Sequence, residues 1–456
     1  MSGGAPPAAP GSGPAVTAVR GSLAWFSDDP FLTSDDRALE YVEDGLLVCR
    51  DGRITASGRY GDLVGSLPPG TAVVHHRGKL VLPGLIDPHV HYVQTRITGS
   101  YGEELLDWLQ RYVYPEEVRF ADAAYARSCA ALFCDQLLRN GTTTALVGCA
   151  TFPVSVDALF EEAARRGMRI AAGKVLMDRN ARTDLLDRSP IRAYEESEAL
   201  IRRWHGVGRN LYAVTPRFAV ACTDEMLRLA GRLWHAHPGT LAQTHLAENR
   251  EEVGQVRELF PDRRDYVDVY DHFGLLGRGA VFAHAVHLNG REWRRLSESG
   301  SGVAHCPTSN LFLGSGLFSA RAAKDPRHPV RTGLGTDVGG GTGLSLLETM
   351  GEAYKVGRLR GFPMSGVGLF YLATLGGAQA MGLEGTVGSL APGNEADFVV
   401  LDPSATPMLA ARTAESETVG DLLFALGHLG DDRAVALTYV GGRVAHERGP
   451  CRDAEG

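Results

Sequence analysis

The sequence predicts an α/β fold: a (β/α)8 TIM-type barrel with a small β-sandwich domain formed by both termini. Three observations carry that reading. Eight short apolar runs alternate with amphipathic segments through the middle of the chain, polar residues gather at the C-terminal ends of those runs, and a turn-rich β texture appears on either side. The runs cover 80–91, 142–148, 169–178, 211–220, 240–248, 280–288, 302–306 and 331–337. Helical periodicity falls between most of them, as at 122–140, 156–166 and 224–235, and 344–359 follows the last.

Near-continuous apolar runs separated by helices indicate parallel strands buried on both faces. A doubly wound open sheet would show the same alternation, and the polar residues decide between the two. His89, His91, Arg217, His245, Glu248, His284, Ser309 and Asp337 all lie toward or just past the C-terminal ends of their runs. In an open sheet the first and eighth strands are far apart; closure makes them neighbours around one mouth.

The flanking segments read differently. Turn residues beside β-prone stretches recur at 43–48 and 51–58, and again at 397–402 and 434–445. Residues 15–80 together with 390–456 are therefore expected to build one small β domain around a barrel spanning 81–389. The first residues, 1–14, are rich in Gly, Pro, Ser and Ala, and read as a disordered leader without the basic start and apolar segment of a secretory signal.

Composition narrows the function classes. A net charge of -8 argues against nucleic acid or an anionic membrane surface as partner. No stretch approaches the roughly 18 consecutive apolar residues of a transmembrane helix. The seven cysteines are scattered without a C-x-x-C pair, which fits a reducing cytoplasm and argues against a disulfide framework. Cys306 reads as a small apolar filler despite its position near the strand ends.

Five residues have metal-ligand chemistry at separate strand ends: the His89-Val90-His91 pair, His245, His284 and Asp337. Alternation along an extended strand sends both imidazoles of His-x-His to one side, where neutral nitrogens can share a cation. One His-x-His is weak evidence; its recurrence with His245 and Asp337 on other strands is strong. These four are assigned as ligands of one zinc ion, whose remaining position would take a water with its pKa lowered to about 7. A lysine at the end of the fourth strand would point to a second metal; Arg217 stands there instead, and Lys174 lies on the preceding run.

Glu248, three residues after His245, is an acid/base candidate if its carboxylate enters the pocket, and otherwise the exposed start of an acidic helix. Arg217 offers a planar fork for a carbonyl or carboxylate, and Phe218 an apolar face for a flat ring. His75 and His76 read as solvated, and His287 and His305 receive no role. The run Gly339-Gly340-Gly341 permits close backbone approach or simply a turn.

At these residues the chain resembles the amidohydrolase superfamily and, within it, the guanine deaminases. The resemblance covers about 80–445 and rests on Pro83-Gly84-Leu85-Ile86-Asp87-Pro88-His89-Val90-His91 with Gln94, Thr215-Pro216-Arg217-Phe218 and Thr244-His245-Leu246-Ala247-Glu248-Asn249-Arg250. Further support comes from Ala304-His305-Cys306-Pro307-Thr308-Ser309-Asn310 and Gly333-Leu334-Gly335-Thr336-Asp337-Val338. Tyr92, Val93 and Gly339 depart slightly from the commonest family wording. The resemblance implies zinc-dependent attack of water on C2 of guanine, giving xanthine and ammonia. It implies that Asp337 accepts a proton from the water, that Glu248 delivers protons to the ring nitrogen and leaving amine, and that His284 orients the nucleophile. Gln94 and Arg217 would read the O6/N1 edge with Phe218 against the ring, His91, His245 and Glu248 also facing the substrate. Trp108 would close the pocket or pack a helix, and a homodimer is expected. The competing readings are a related deaminase acting on another ring, such as 8-oxoguanine, another purine or a triazine, and a catalytically silent protein on the same fold.

Overall fold

The computed structural model describes residues 16–101 and 105–449, so the leader expected over 1–14 lies outside the described residues. The barrel strands are β1 (Leu85–His91), β2 (Thr142–Gly148), β3 (Arg169–Gly173), β4 (Leu211–Pro216), β5 (Leu241–Leu246), β6 (Ala280–His284), β7 (Gly302–His305) and β8 (Arg331–Leu334). Each pairs in parallel with the next. At the seam between β8 and β1, the Asp337 amide donates to the His89 carbonyl at 3.0 Å. The Thr336 amide and hydroxyl both donate to the Asp87 carboxylate. The eight strands thus form a nearly closed (β/α)8 barrel, as the sequence predicts.

Amphipathic helices cover the barrel because their apolar stripes have only the sheet to pack on. Those expected at 122–140, 156–166, 224–235 and 344–359 are found as Ala123–Arg139, Pro153–Arg166, Asp224–Ala236 and Leu346–Leu359. The first is capped by the Asp122 carboxylate accepting from the Tyr125 amide, and the second stops at Gly167, whose φ of 69° is a left-handed C-terminal cap.

Each of β1 to β7 sends at least one apolar side chain into a small interior cluster: Ile86, Leu146, Ala171, Ala213, Leu241, Val281 and Ala304. Period-2 alternation then fixes what stands above them. On β4 the face of Ala213 continues to Thr215 and Arg217, and on β5 the face of Leu241 continues to Gln243 and His245. Strand β1 cannot obey the same rule, since Ile86 and His89 are an odd number of residues apart. Its pairing with β2 is irregular between Asp87 and Val90, and that break lets both an apolar base and two histidines face inward.

Two expectations are corrected. The single strand over 80–91 is two strands divided at Gly84: Val73–Pro83 belongs to the terminal sheet, where Val81, Leu82 and Pro83 pair with Val400, Val399 and Phe398. A Cβ at Gly84 would lie 2.1 Å from the Thr143 hydroxyl, so the chain passes there only without a side chain. The run over 169–178 is likewise broken, into β3 and the two-residue strand Val175–Leu176.

The terminal segments form one continuous seven-stranded sheet, in the spatial order Arg443–Glu447, Val435–Val440, Phe398–Leu401, Val73–Pro83, Val16–Phe26, Leu39–Arg50 and Arg53–Arg59. Within 390–456, Pro407–Thr413 and Val419–Leu429 are helices rather than strands. The second packs on barrel helix Gly366–Leu372 so closely that a Cβ at Gly366 would lie 2.4 Å from the Phe424 amide nitrogen. Sheet and barrel are also joined by ion pairs: Arg169 and Arg209 both reach Glu395, and Arg209 also reaches Asp397. Among the described residues no helix is long and apolar enough to cross a membrane.

Candidate metal centre and active site

His89, His91, His245 and Asp337 meet at the C-terminal mouth of the barrel, with one potential ligand atom from each lying within 4.8 Å of the others. Oδ1 of Asp337 is 3.2 Å from Nε2 of His89 and 3.4 Å from Nε2 of His91, while Nε2 of His91 is 3.2 Å from Nε2 of His245. Burial lowers the pKa of all three imidazoles, so their neutral forms are favoured. Neutral nitrogens converging on one carboxylate in a dry site lack a shared proton donor, and Nε2 of His89 has no hydrogen-bond partner. That donor set of three nitrogens and one carboxylate oxygen fits a cation such as zinc, which would take an exchangeable ligand as its fifth.

The ligands are held from behind. Nδ1 of His245 bonds the Arg217 carbonyl at 2.7 Å, which fixes its tautomer and aims Nε2 at the cluster. Asp87 ties the ends of β1 and β8 together by accepting from the amides of His89 and Thr336 and from the Thr336 hydroxyl. Full burial raises the Asp87 carboxyl to about 7 despite those bonds. Gly148 faces His91 across the strand pair; a Cβ there would lie 2.2 Å from Nδ1 of the imidazole.

Asp337 has a φ of 48°, His284 of 72° and Ala247 of 48°. Left-handed backbone at non-glycine residues costs about 1–3 kcal/mol each. Here it turns the chain abruptly at three strand ends: His284 aims its ring at the mouth, and Glu248 follows Ala247 into the pocket. Glu248 is 3% exposed, so the exposed helix start is ruled out; the helix begins at Arg250, capped by Asn249.

Glu248, His284 and Asp337 form a chain of titratable groups. Nε2 of His284 lies 3.3 Å from Oε2 of Glu248 and 3.8 Å from Oδ2 of Asp337, and its Nδ1 bonds Oδ1 of Asn310 at 2.9 Å. Burial opposes charge on His284, but the two carboxylates outweigh it and raise its pKa. For Asp337 burial is likewise outweighed, first by the close approach of His89, with His284 and His91 adding to it, and its pKa falls well below the carboxylate range. Glu248 is pushed up to about 7, chiefly by burial, although His284 and the Ser315 hydroxyl, which donates to its Oε1 at 3.1 Å, pull the other way.

A cavity opens beside this chain, lined by Gln94, Trp108, Arg217, Phe218, Glu248 and His284 together with His91, His245 and Asp337. Leu105, Leu109 and Leu313 supply its apolar wall. The structure thus brings together every site residue selected from the sequence except His89, which lies beneath the cavity among the ligands. Trp108 both lines the cavity and is buried. Gly339 has a φ of 118° and a Cβ on it would lie 2.2 Å from Oε1 of Gln94, so the glycine run serves both turn and close approach.

Other residues fall elsewhere. Lys174 is fully buried and pairs with Asp187, and it is not part of the ligand cluster. His305 stacks on Phe318, His287 bonds the Ser315 carbonyl, and Cys306 is fully buried. His76, expected to be solvated, is instead buried and bonds the Tyr439 hydroxyl at 3.2 Å. Sequence reasoning missed Glu117, which is buried and pairs with Arg217. It also missed Ser315 and the pair formed by Glu252 and Tyr266 behind the Glu248 amide. None stands on a barrel strand, and only a capping pattern at Asn249-x-x-Glu252 offered a local signal.

Residues 80–445 match the model of the amidohydrolase family. The chain is 49% identical over 436 residues to guanine deaminase of Escherichia coli strain K12, covering 95% of this chain and 98% of that relative. It superposes on the solved structure of E. coli guanine deaminase with a TM-score of 0.92, at 47% identity, covering 95% of this chain and 100% of that one. Guanine deaminase from C. acetobutylicum, solved with guanine in its active site, gives 0.84 at 27% identity over 94% of this chain and 100% of that one. On fold, ligand set and sequence, this chain belongs to the amidohydrolase family, in its guanine deaminase branch.

Proposed function

We propose that the chain hydrolyses guanine to xanthine and ammonia, using one zinc ion held by His89, His91, His245 and Asp337. The observation that supports this best is the meeting, on one cavity, of that ligand quartet with Glu248 and with the Arg217–Gln94 pair. A bound zinc supplies Lewis acidity that brings a water pKa down to about 7. The side chains do the rest. Oδ2 of Asp337, turned toward His284, takes a proton from the attacking water as oxygen bonds to C2 of the purine. His284, held by Asn310 and set between two carboxylates, orients the attack.

Glu248 carries the proton onward. With its pKa near 7 it holds a proton at neutral pH and gives it to the ring nitrogen. It then takes the remaining proton of the C2 hydroxyl and passes it to the amino group, which leaves as ammonia as the C2 carbonyl forms. The proton on Asp337 restores Glu248. Arg217 and Gln94 hold the O6/N1 edge, Phe218 lies against the ring, and Trp108 with the leucines keeps the site dry. The test is formation of xanthine and ammonia from guanine by purified, zinc-assayed protein. Equal amounts of both products, lost on chelation and restored by zinc, are expected. Zinc-replete protein that leaves guanine unchanged would overturn the proposal.

A further inference from the structure

Arg217 and Gln94 both line the cavity; the carboxylate of Glu117 lies behind both of them and does not line it. Glu117 is 1% exposed and closes the helix Tyr114–Glu117. Both its oxygens accept from the same nitrogen of Arg217, Nη1, at 3.0 and 2.7 Å. The other N–H groups of the fork take no part in that pair, on a side chain that lines the cavity, while the Tyr114 ring flanks the guanidinium at 5.3 Å. The same carboxylate reaches Gln94, whose Nε2 lies 3.5 Å from Oε1 of Glu117.

A side-chain amide has a donor end and an acceptor end, and in isolation either can face a ligand. A carboxylate accepts only, so Glu117 selects the NH2 end of Gln94 and leaves the amide oxygen as the free acceptor. Gly339 grips the amide from the other side, with no space for a Cβ beside Oε1. Resting on the guanine reading above, we propose that Glu117 is a positioning residue that sets the hydrogen-bond polarity of the substrate edge: donor at Arg217, acceptor at Gln94. That pattern matches a ring with a carbonyl at C6 and hydrogen on N1. It opposes a ring with an amino group at C6 and a bare N1, such as 2,6-diaminopurine, which carries the same 2-amino leaving group.

The experiment compares kcat/KM for guanine and for 2,6-diaminopurine in the zinc-loaded wild type, E117Q and E117D. Gln at 117 presents either end of its own amide, so Gln94 is no longer held one way and Arg217 loses its charge partner. The expected result for E117Q is a loss on guanine of about 10- to 100-fold with a much smaller change on 2,6-diaminopurine. The ratio of the two substrates therefore narrows, while zinc content is unchanged. E117D, which keeps an acceptor-only partner on a shorter stem, is expected to recover most of the wild-type ratio. A ratio unchanged in E117Q, whether activity is kept or lost equally on both substrates, would overturn the proposal, as would E117D narrowing it as far as E117Q. Wild-type protein inactive on guanine would instead reject the underlying substrate reading and this inference with it.

Discussion

Replacing Gly148 with alanine tests how closely the barrel packs around its ligands. In the present structure the new Cβ would lie 2.2 Å from Nδ1 of His91, where real contacts rarely fall below 3.0 Å. The neighbour is a rigid ring on a fully buried strand, not the free end of a flexible chain, so His91 or the strand must yield by about 1 Å. Backbone strain adds nothing, because Gly148 is not among the positive-φ glycines. Sites of this kind tolerate about 0.5 Å of displacement, and about 1 Å in a catalytic constellation costs on the order of 100-fold. The expected outcome is metal affinity weakened about 100-fold, or roughly 3 kcal/mol, with turnover falling in parallel. Metal-to-protein stoichiometry after dialysis against a graded chelator, set beside guanine turnover at saturating zinc, measures both. Wild-type stoichiometry and turnover in Gly148→Ala would refute the claim that this glycine makes room for His91.

Glu248→Gln is expected to keep its metal and lose turnover by about 100- to 10,000-fold, because the amide cannot carry a proton; near-normal turnover would remove Glu248 as the shuttle. His245→Ala should lose metal and activity together in the same stoichiometry assay, and a variant keeping both would exclude His245 from the ligand set. Arg209→Met removes a cation shared by Glu395 and Asp397 at the junction of barrel and terminal sheet, and should cost about 3–5 kcal/mol in denaturant unfolding; unchanged stability would show that Arg169 alone holds the junction. Burial would raise the Glu395 pKa, but Arg169 and Arg209 outweigh it and hold it below the ordinary value. Its stabilising effect is therefore present above about pH 4.5 and lost as pH falls through the lower folded value. Glu395→Gln should flatten that acid limb of the stability curve, and an unaltered limb would contradict the ion-pair reading.

Most of the barrel was legible because buried parallel strands are apolar along their length and helices show a 3.6-residue stripe, both local patterns. The candidate ligands were legible for a related reason: histidine and aspartate at the ends of apolar runs are conspicuous. Local pattern failed where the chain changes partners. Residues 80–91 look like one strand, yet Gly84 divides them between two sheets, since the hydrogen-bond partner of a backbone is not written in its side chains. The helices in the C-terminal segment were passed over because strands bound them on either side.

By itself, then, the sequence determined the layered α/β architecture and which residues gather at the candidate site, because burial and ligand chemistry depend on residue type and spacing. Only the tertiary structure decided how those residues are aimed. The irregularity in β1 that turns Ile86 and His89 to one side, and the left-handed backbone at His284 and Asp337, are set by packing against neighbouring strands. So is Glu117, at the end of a short helix far from the barrel strands in sequence, behind Arg217 and Gln94. Such contacts join residues of high sequence separation, and their energy exists only once the chain has closed.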